Sequence, residues 1–155
     1  NSGTRSFFQP GVIDSRDIKD IAPFEDRVSV ADVSERKLVD FFKHAIEDTY
    51  RSQGNKPGLM AVSGMTYSVN PEKGILTGMS INEIKIDVDN PSDDKFYKVA
   101  MDSFMMFDGA DFDILAPKEE CINYPFNKDF LACEYIKHLN EPVVINQTGR
   151  IKFES

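Results

Sequence analysis

Apolar and polar positions change period several times along the chain, and each change predicts an element. The clearest run is "SERKLVDFFKHAIEDTYRSQG". Leu38, Phe41, Phe42, Ala45 and Ile46 recur there at helical spacing, which gives one apolar face. Ser34 is the expected N-cap and Gly54 the expected stop. "IDSRDIKDIAPF" predicts a short helix, capped by Asp14 or Ser15 and halted by Pro23. "DRVSVADV" predicts a strand, and "LMAVSGMTYSV" alternates well enough for another. "PEKG" is a turn. "INEIKIDV" alternates cleanly, and "FYKVAMDSFMMF" predicts a longer strand that Met105 and Met106 continue. "NKDFLACEYIKHLN" predicts a second well-marked helix, with Asn127 as its cap. Phe130, Leu131, Tyr135, Ile136 and Leu139 are the side it should bury. "GRIKF" predicts a short terminal strand. Helices and strands mix without strict βαβ repetition, which favours an α+β fold, a mixed-sheet sandwich with helices.

The 155 residues suit one domain with one core. Apolar residues make up 41% and charged residues 28%, as in ordinary globular proteins. Net charge is −8, which argues against a nucleic-acid polymer as partner, since a phosphate backbone needs a basic face. A small anion held by one or two local arginines remains compatible with it. No apolar run approaches the roughly 20 residues of a membrane span. The chain opens on Asn1 with no signal peptide, which reads as a fragment, a processed product or an excised domain. "NPSDD" is an exposed loop rather than a linker, and no repeat is present. Cys121 and Cys133 could pair or stay free. "NQT" at Asn146 is a glycosylation sequon, whereas Pro91 spoils the one at Asn90.

Few residues carry obvious chemistry. His44 and His138 lie on helices without a second ligand at metal spacing. No nucleophile elbow, zinc-protease motif or phosphate-binding loop occurs, and "DVDNPSDD" lacks the glycine and terminal glutamate of a calcium loop. Three short features remain. In "NSGTR", Gly3 permits close backbone approach and Arg5 offers a planar donor fork to phosphate or carboxylate. In "IAPFEDRV", Pro23 throws Phe24 off a loop, as core or as platform. In "DSFMMFDGADFD", Phe104 sits at a strand end beside an acidic turn, with the same two readings.

Taken in order, "NSGTR", "IAPF", "VSGMTYSVNP", "FYKVAMDSFMMFDGADFDIL" and a terminal "GRI" resemble the C-terminal domain of the 5′-nucleotidase family. These are two-domain metallophosphoesterases that include UDP-sugar hydrolases and apyrase-like members. The resemblance implies that this domain binds the nucleoside of a nucleotide substrate. An N-terminal domain, with two divalent metal ions, would do the hydrolysis. The chain itself is then expected to hold no metal and to catalyse nothing, and to lack the first elements of its own domain. It also implies an extracellular, cell-surface or periplasmic setting. By the same resemblance Asn1 would meet the base, Arg5 the phosphate side, and Phe24 and Phe104 the two faces of the base. Pro125-Phe126 repeats the Pro-Phe pair in the wrong place. The family's ribose-binding aspartate falls near "DGAD". Counted without a gap from Phe104 the position is Ala110, a one-residue shift gives Asp111, and Asp108 is a third candidate. Two other readings carry the same fold: a secreted or surface interaction protein without catalysis, and a family member with another substrate, such as a sulfur-transfer intermediate.

Overall fold

The computed structural model describes residues 6–52, 59–108, 115–144 and 149–155. Three helices and seven strands run through them: α1 (Ser15–Ile21), β1 (Arg27–Ser34), α2 (Glu35–Arg51), β2 (Met65–Asn70), β3 (Ile75–Ile81), β4 (Ile84–Ile86), β5 (Phe96–Asp102), β6 (Ile122–Asn127), α3 (Lys128–Leu139) and β7 (Ile151–Phe153). A π-helical turn over Phe104–Asp108 follows β5. The strands form two sheets. One is antiparallel, in the order β5-β1-β6; the other is mixed, in the order β4-β3-β2-β7, with β7 parallel to β2.

α2 is the element that both sheets share. Its apolar stripe buries Leu38, Val39, Phe41, Phe42, Ala45 and Ile46. Most of these join one cluster with Ala31 and Val33 of β1, Tyr67 and Val69 of β2, and Leu76, Met79 and Ile81 of β3. The Phe42 ring meets Tyr67 edge to face at 5.1 Å. Each large apolar side chain so buried contributes about 1.5–3 kcal/mol. Ser34 caps α2 by accepting from the Lys37 N–H at 3.3 Å. The expected stop at Gly54 lies outside the described residues. Asp14 caps α1 in a capping box with Asp17, each side chain accepting the other's backbone N–H.

The first turn of α2 also binds the segment that leads into β5. Glu35 is only 3% exposed. Its carboxylate accepts from the Ser92 N–H at 2.9 Å and the Tyr97 hydroxyl at 2.8 Å, with the Lys95 ammonium 3.8 Å away. In return the Glu35 and Arg36 N–H groups donate to the carbonyls of Lys95 and Ser92. Those donors have no partner within the helix, so the contact satisfies both sides. Arg36 adds bonds to Asp93 at 2.6 Å and to the Pro91 carbonyl at 2.7 Å. Burial pushes the Glu35 pKa up, but the Ser92 N–H, the Tyr97 hydroxyl and Lys95 outweigh it and hold the pKa below the usual value. Burial and the Glu35 carboxylate push the Tyr97 phenol up to about 12.

Four sequence expectations are corrected. The strand expected over "LMAVSGMTYSV" begins only at Met65, just after Gly64 takes a left-handed φ of +73°. "ILTGMSI", not singled out by its pattern, is β3. "INEIKIDV" is not one strand: Asn82 and Glu83 both have positive φ and form the β3–β4 turn, leaving three residues for β4. "FYKVAMDSFMMF" is extended only to Asp102; Met105 and Met106 lie in the π-helical turn, with Met106 fully buried in the core. α3 is present, but Asn127 makes no side-chain cap, and Phe130 and Tyr135 are exposed while Leu131, Ile136 and Leu139 are only half-buried. β6 was likewise not foreseen. It is an edge strand, with Pro125 inside the register shift opposite Arg27–Ser29, where a missing N–H is tolerated. Cys121 and Cys133 are free thiols.

Glu35→Gln should lower stability by about 1–3 kcal/mol in urea unfolding, because the buried partners lose a charged acceptor. Since folding depresses the Glu35 pKa, its contribution is complete above the unfolded value near 4.5 and is lost as pH falls through the lower folded value. The stability gap between wild type and Glu35→Gln should therefore close in acid; a gap independent of pH would contradict this account. Gly74 has φ +64°, and a Cβ there would lie 2.7 Å from the Tyr50 Cβ. Gly74→Ala should cost more than about 1 kcal/mol, read as a drop in melting temperature.

Candidate functional site

One end of the three-stranded sheet gathers the two phenylalanines that the sequence singles out. β1 is the central strand, so its first residues lie beside the last residues of both neighbours. Val28 faces Asp102 at the end of β5, and Arg27 faces Asn127 at the end of β6. Phe24 precedes β1, Phe104 follows β5, and Lys128 opens α3 directly after β6. Antiparallel pairing thus brings together three segments that are remote in sequence.

Lys128 ties these segments to one another. Its N–H donates to the Asp26 carbonyl at 3.1 Å, and its ammonium donates to the Asp26 carboxylate at 2.7 Å. The same ammonium stands 3.8 Å from Asp102 Oδ2 and 5.7 Å from the centre of the Phe24 ring. The Lys128, Asp26 and Asp102 side chains are 22%, 29% and 25% exposed. Partial burial reduces screening, so this node is stronger than an exposed ion pair. Asp102 also acts on the backbone, where its Oδ1 accepts from the Met105 N–H at 2.8 Å. That bond competes with continued strand pairing and turns the chain where β5 ends. Phe104 is the first residue of the resulting turn.

Phe24 is 40% exposed and Phe104 51% exposed, so neither is a core residue. Exposure alone does not mark a site in this protein, because Phe96, Phe130 and Tyr135 are exposed too. The Lys128–Asp26–Asp102 node touches the segments of both Phe24 and Phe104, and Lys128 itself opens the helix that carries Phe130 and Tyr135. Asn1, Gly3, Arg5 and Asp111 lie outside the described residues, as do Ala110 and the sequon residue Asn146. Asp108 is the last residue of the π-helical turn. Phe126, from the misplaced Pro-Phe pair, stacks on Phe130 with ring centres 5.3 Å apart.

Elsewhere the chemistry is sparse. Among the described residues no group of three His, Cys, Asp or Glu side chains could hold a metal ion, and no helix is long and apolar enough to cross a membrane. Burial, with help from Glu120 and Glu119, pushes the Cys121 thiol pKa up, and the thiol donates to the Pro117 carbonyl at 3.2 Å. A protonated thiol of this kind is a poor nucleophile. An open depression of about 760 Å³ lies between α3 and β7, with Val62, Tyr135, Leu139 and Arg150 in its wall. It contains none of the site residues expected from the sequence.

The sequence did not reveal Asp26, Asp102 or Lys128 as partners. They are ordinary charged residues at element ends. Only the strand order and register show that these ends coincide, and a correct β6 would have been the signal.

The model of the 5′-nucleotidase, C-terminal domain family matches residues 1–117. A curated relative, an apyrase from Tabanus yao, is 28% identical over 97% of this chain and 28% of its own length. Two solved structures share the fold. The 5′-nucleotidase precursor from Thermus thermophilus superposes with a TM-score of 0.73 at 16% identity, covering 97% of this chain and 30% of that one. The NAD nucleotidase of Haemophilus influenzae gives 0.71 at 14% identity, covering 97% of this chain and 28% of that one. The chain thus spans less than a third of the length of each. With the family model covering most of its residues, the chain belongs to the 5′-nucleotidase C-terminal domain family.

Proposed function

We propose that this domain recognises the nucleoside of a nucleotide that a 5′-nucleotidase-type hydrolase dephosphorylates. The observation that carries the reading is the pair of half-exposed rings, Phe24 and Phe104, whose segments meet one Lys–Asp–Asp node in a chain of this family. A base between two such rings gains about 1–3 kcal/mol per stacked face. Stacking accepts any flat base, so base selectivity should be broad. Arg5 would meet the phosphate side, Asn1 the base with Gly3 allowing close approach, and Asp111 or Asp108 the ribose hydroxyls.

Phosphate hydrolysis falls, in this reading, to an N-terminal metallophosphoesterase domain with two divalent ions, which would supply the activated water. This domain would bind and orient the nucleoside toward it. The parent protein would act in nucleotide catabolism outside the cytoplasm, as a secreted, surface or periplasmic enzyme.

Titration of adenosine and AMP into the chain, followed by NMR, should give saturable shifts at Phe24 and at Phe104–Met105. A folded spectrum that stays unchanged at millimolar ligand would overturn the proposal. Phe104→Ala should weaken binding roughly tenfold or more, the loss of one stacked face. Because the ring is half-exposed, the same substitution should move stability by only about 0.5 kcal/mol. Unchanged affinity would remove Phe104 from the site.

A further inference from the structure

We infer that Lys128 is a positioning residue that sets the placement of the Phe24 and Phe104 segments relative to each other. The inference rests on the reading that these two rings hold a base.

Three observations converge on one ammonium group. It grips the Phe24 side twice, by a 2.7 Å bond to the Asp26 carboxylate and by standing 5.7 Å over the Phe24 ring. It reaches the Phe104 side through Asp102 Oδ2 at 3.8 Å. Asp102 in turn holds the π-helical turn through the Met105 N–H at 2.8 Å. The path therefore runs Phe24, Lys128, Asp102, Met105, Phe104. The backbone link between its two ends is the β1–β5 ladder, which stops at Val28 and Asp102. Both rings lie beyond that last rung. Backbone bonds tie each ring-bearing segment to its own neighbour, Asp26 to the Lys128 N–H at 3.1 Å and Met106 to the Leu115 N–H at 3.2 Å, but among the described residues they do not tie the two segments to each other beyond that rung. A single cation between the Asp26 carboxylate, on the Phe24 segment, and Asp102, which sits at the last rung and holds the turn through the Met105 N–H, supplies that link.

Lys128 touches no atom of the base in this account. It acts by limiting how far the two ring-bearing segments move relative to each other, so that binding does not require them to be ordered first. Charge is essential to this role, whereas the aliphatic stem is not.

The test uses the whole chain with three substitutions. Lys128→Met keeps the stem and removes the charge, and Lys128→Arg keeps a cation. Asp102→Asn keeps an acceptor for Met105 but removes the charge that faces Lys128, and it carries the same test if Lys128→Met fails to fold. Without ligand, Lys128→Met should shift the Phe24 ring signals and also speed hydrogen exchange at the Met105 amide several-fold, while Phe41 in the core stays put. With adenosine, affinity should fall roughly five- to tenfold in Lys128→Met and in Asp102→Asn, and stay within about twofold of wild type in Lys128→Arg. A simple packing role would not be rescued by arginine. Perturbation confined to the Phe24 loop, or wild-type affinity in Lys128→Met, would overturn the inference and leave nucleoside recognition intact. A wild-type chain that binds no adenosine would overturn both.

Discussion

The apolar stripe of α2 is the constraint on which the rest of this molecule depends. Neither sheet is large enough to build a core from its own strands. One has three strands and the other four. One helix contacts both, with Phe41, Phe42 and Ile46 in a single buried cluster with residues of β1, β2 and β3. The helix must then be fixed in rotation as well as in place, because turning it would serve one sheet at the expense of the other. Glu35 and Arg36 give that fix at its first turn, through a buried carboxylate and a set of reciprocal backbone bonds to residues 91–97. This fixes where β5 begins, and so where the Phe104 turn emerges.

Structure was readable in the sequence where one local force dominated. α2 was legible because its apolar spacing, its cap and its length agree, and α1 because a cap at Asp14 or Ser15 and a stop at Pro23 bracket it. β1 and β7 were legible as short apolar alternations bounded by turns. The failures share a cause: a local pattern met a tertiary or turn constraint that it does not display. "INEIKIDV" alternates like a strand, yet Asn82 and Glu83 adopt the left-handed backbone of a tight turn. Met105 and Met106 extend an apolar run, yet the Asp102 side chain diverts the backbone and Met106 turns into the core. The apolar positions of α3 imply a buried face that the folded chain leaves largely open.

The site shows the same division. Phe24 and Phe104 could be named as candidates only through the family resemblance that their short motifs carry, since local context alone left each readable as core or as platform. The ionic node could not. Asp26, Asp102 and Lys128 acquire meaning only when β6 is placed beside β1, and β6 reads poorly as a strand because it contains Pro125. The residues that shape a site are thus less visible than those that would touch a ligand, since their role is a distance between elements rather than a chemistry at one position.

The same Pro125 has a consequence for how the protein behaves in company. β6 is an outer strand that presents Ile122, Tyr124 and Phe126 to water, a composition that invites an extended chain from another molecule to pair with it. The register shift around Pro125 distorts the rail on which such a visitor would align. A dipeptide that misleads as a ligand motif thus lies where outer strands commonly carry an interruption that disfavours pairing with another chain.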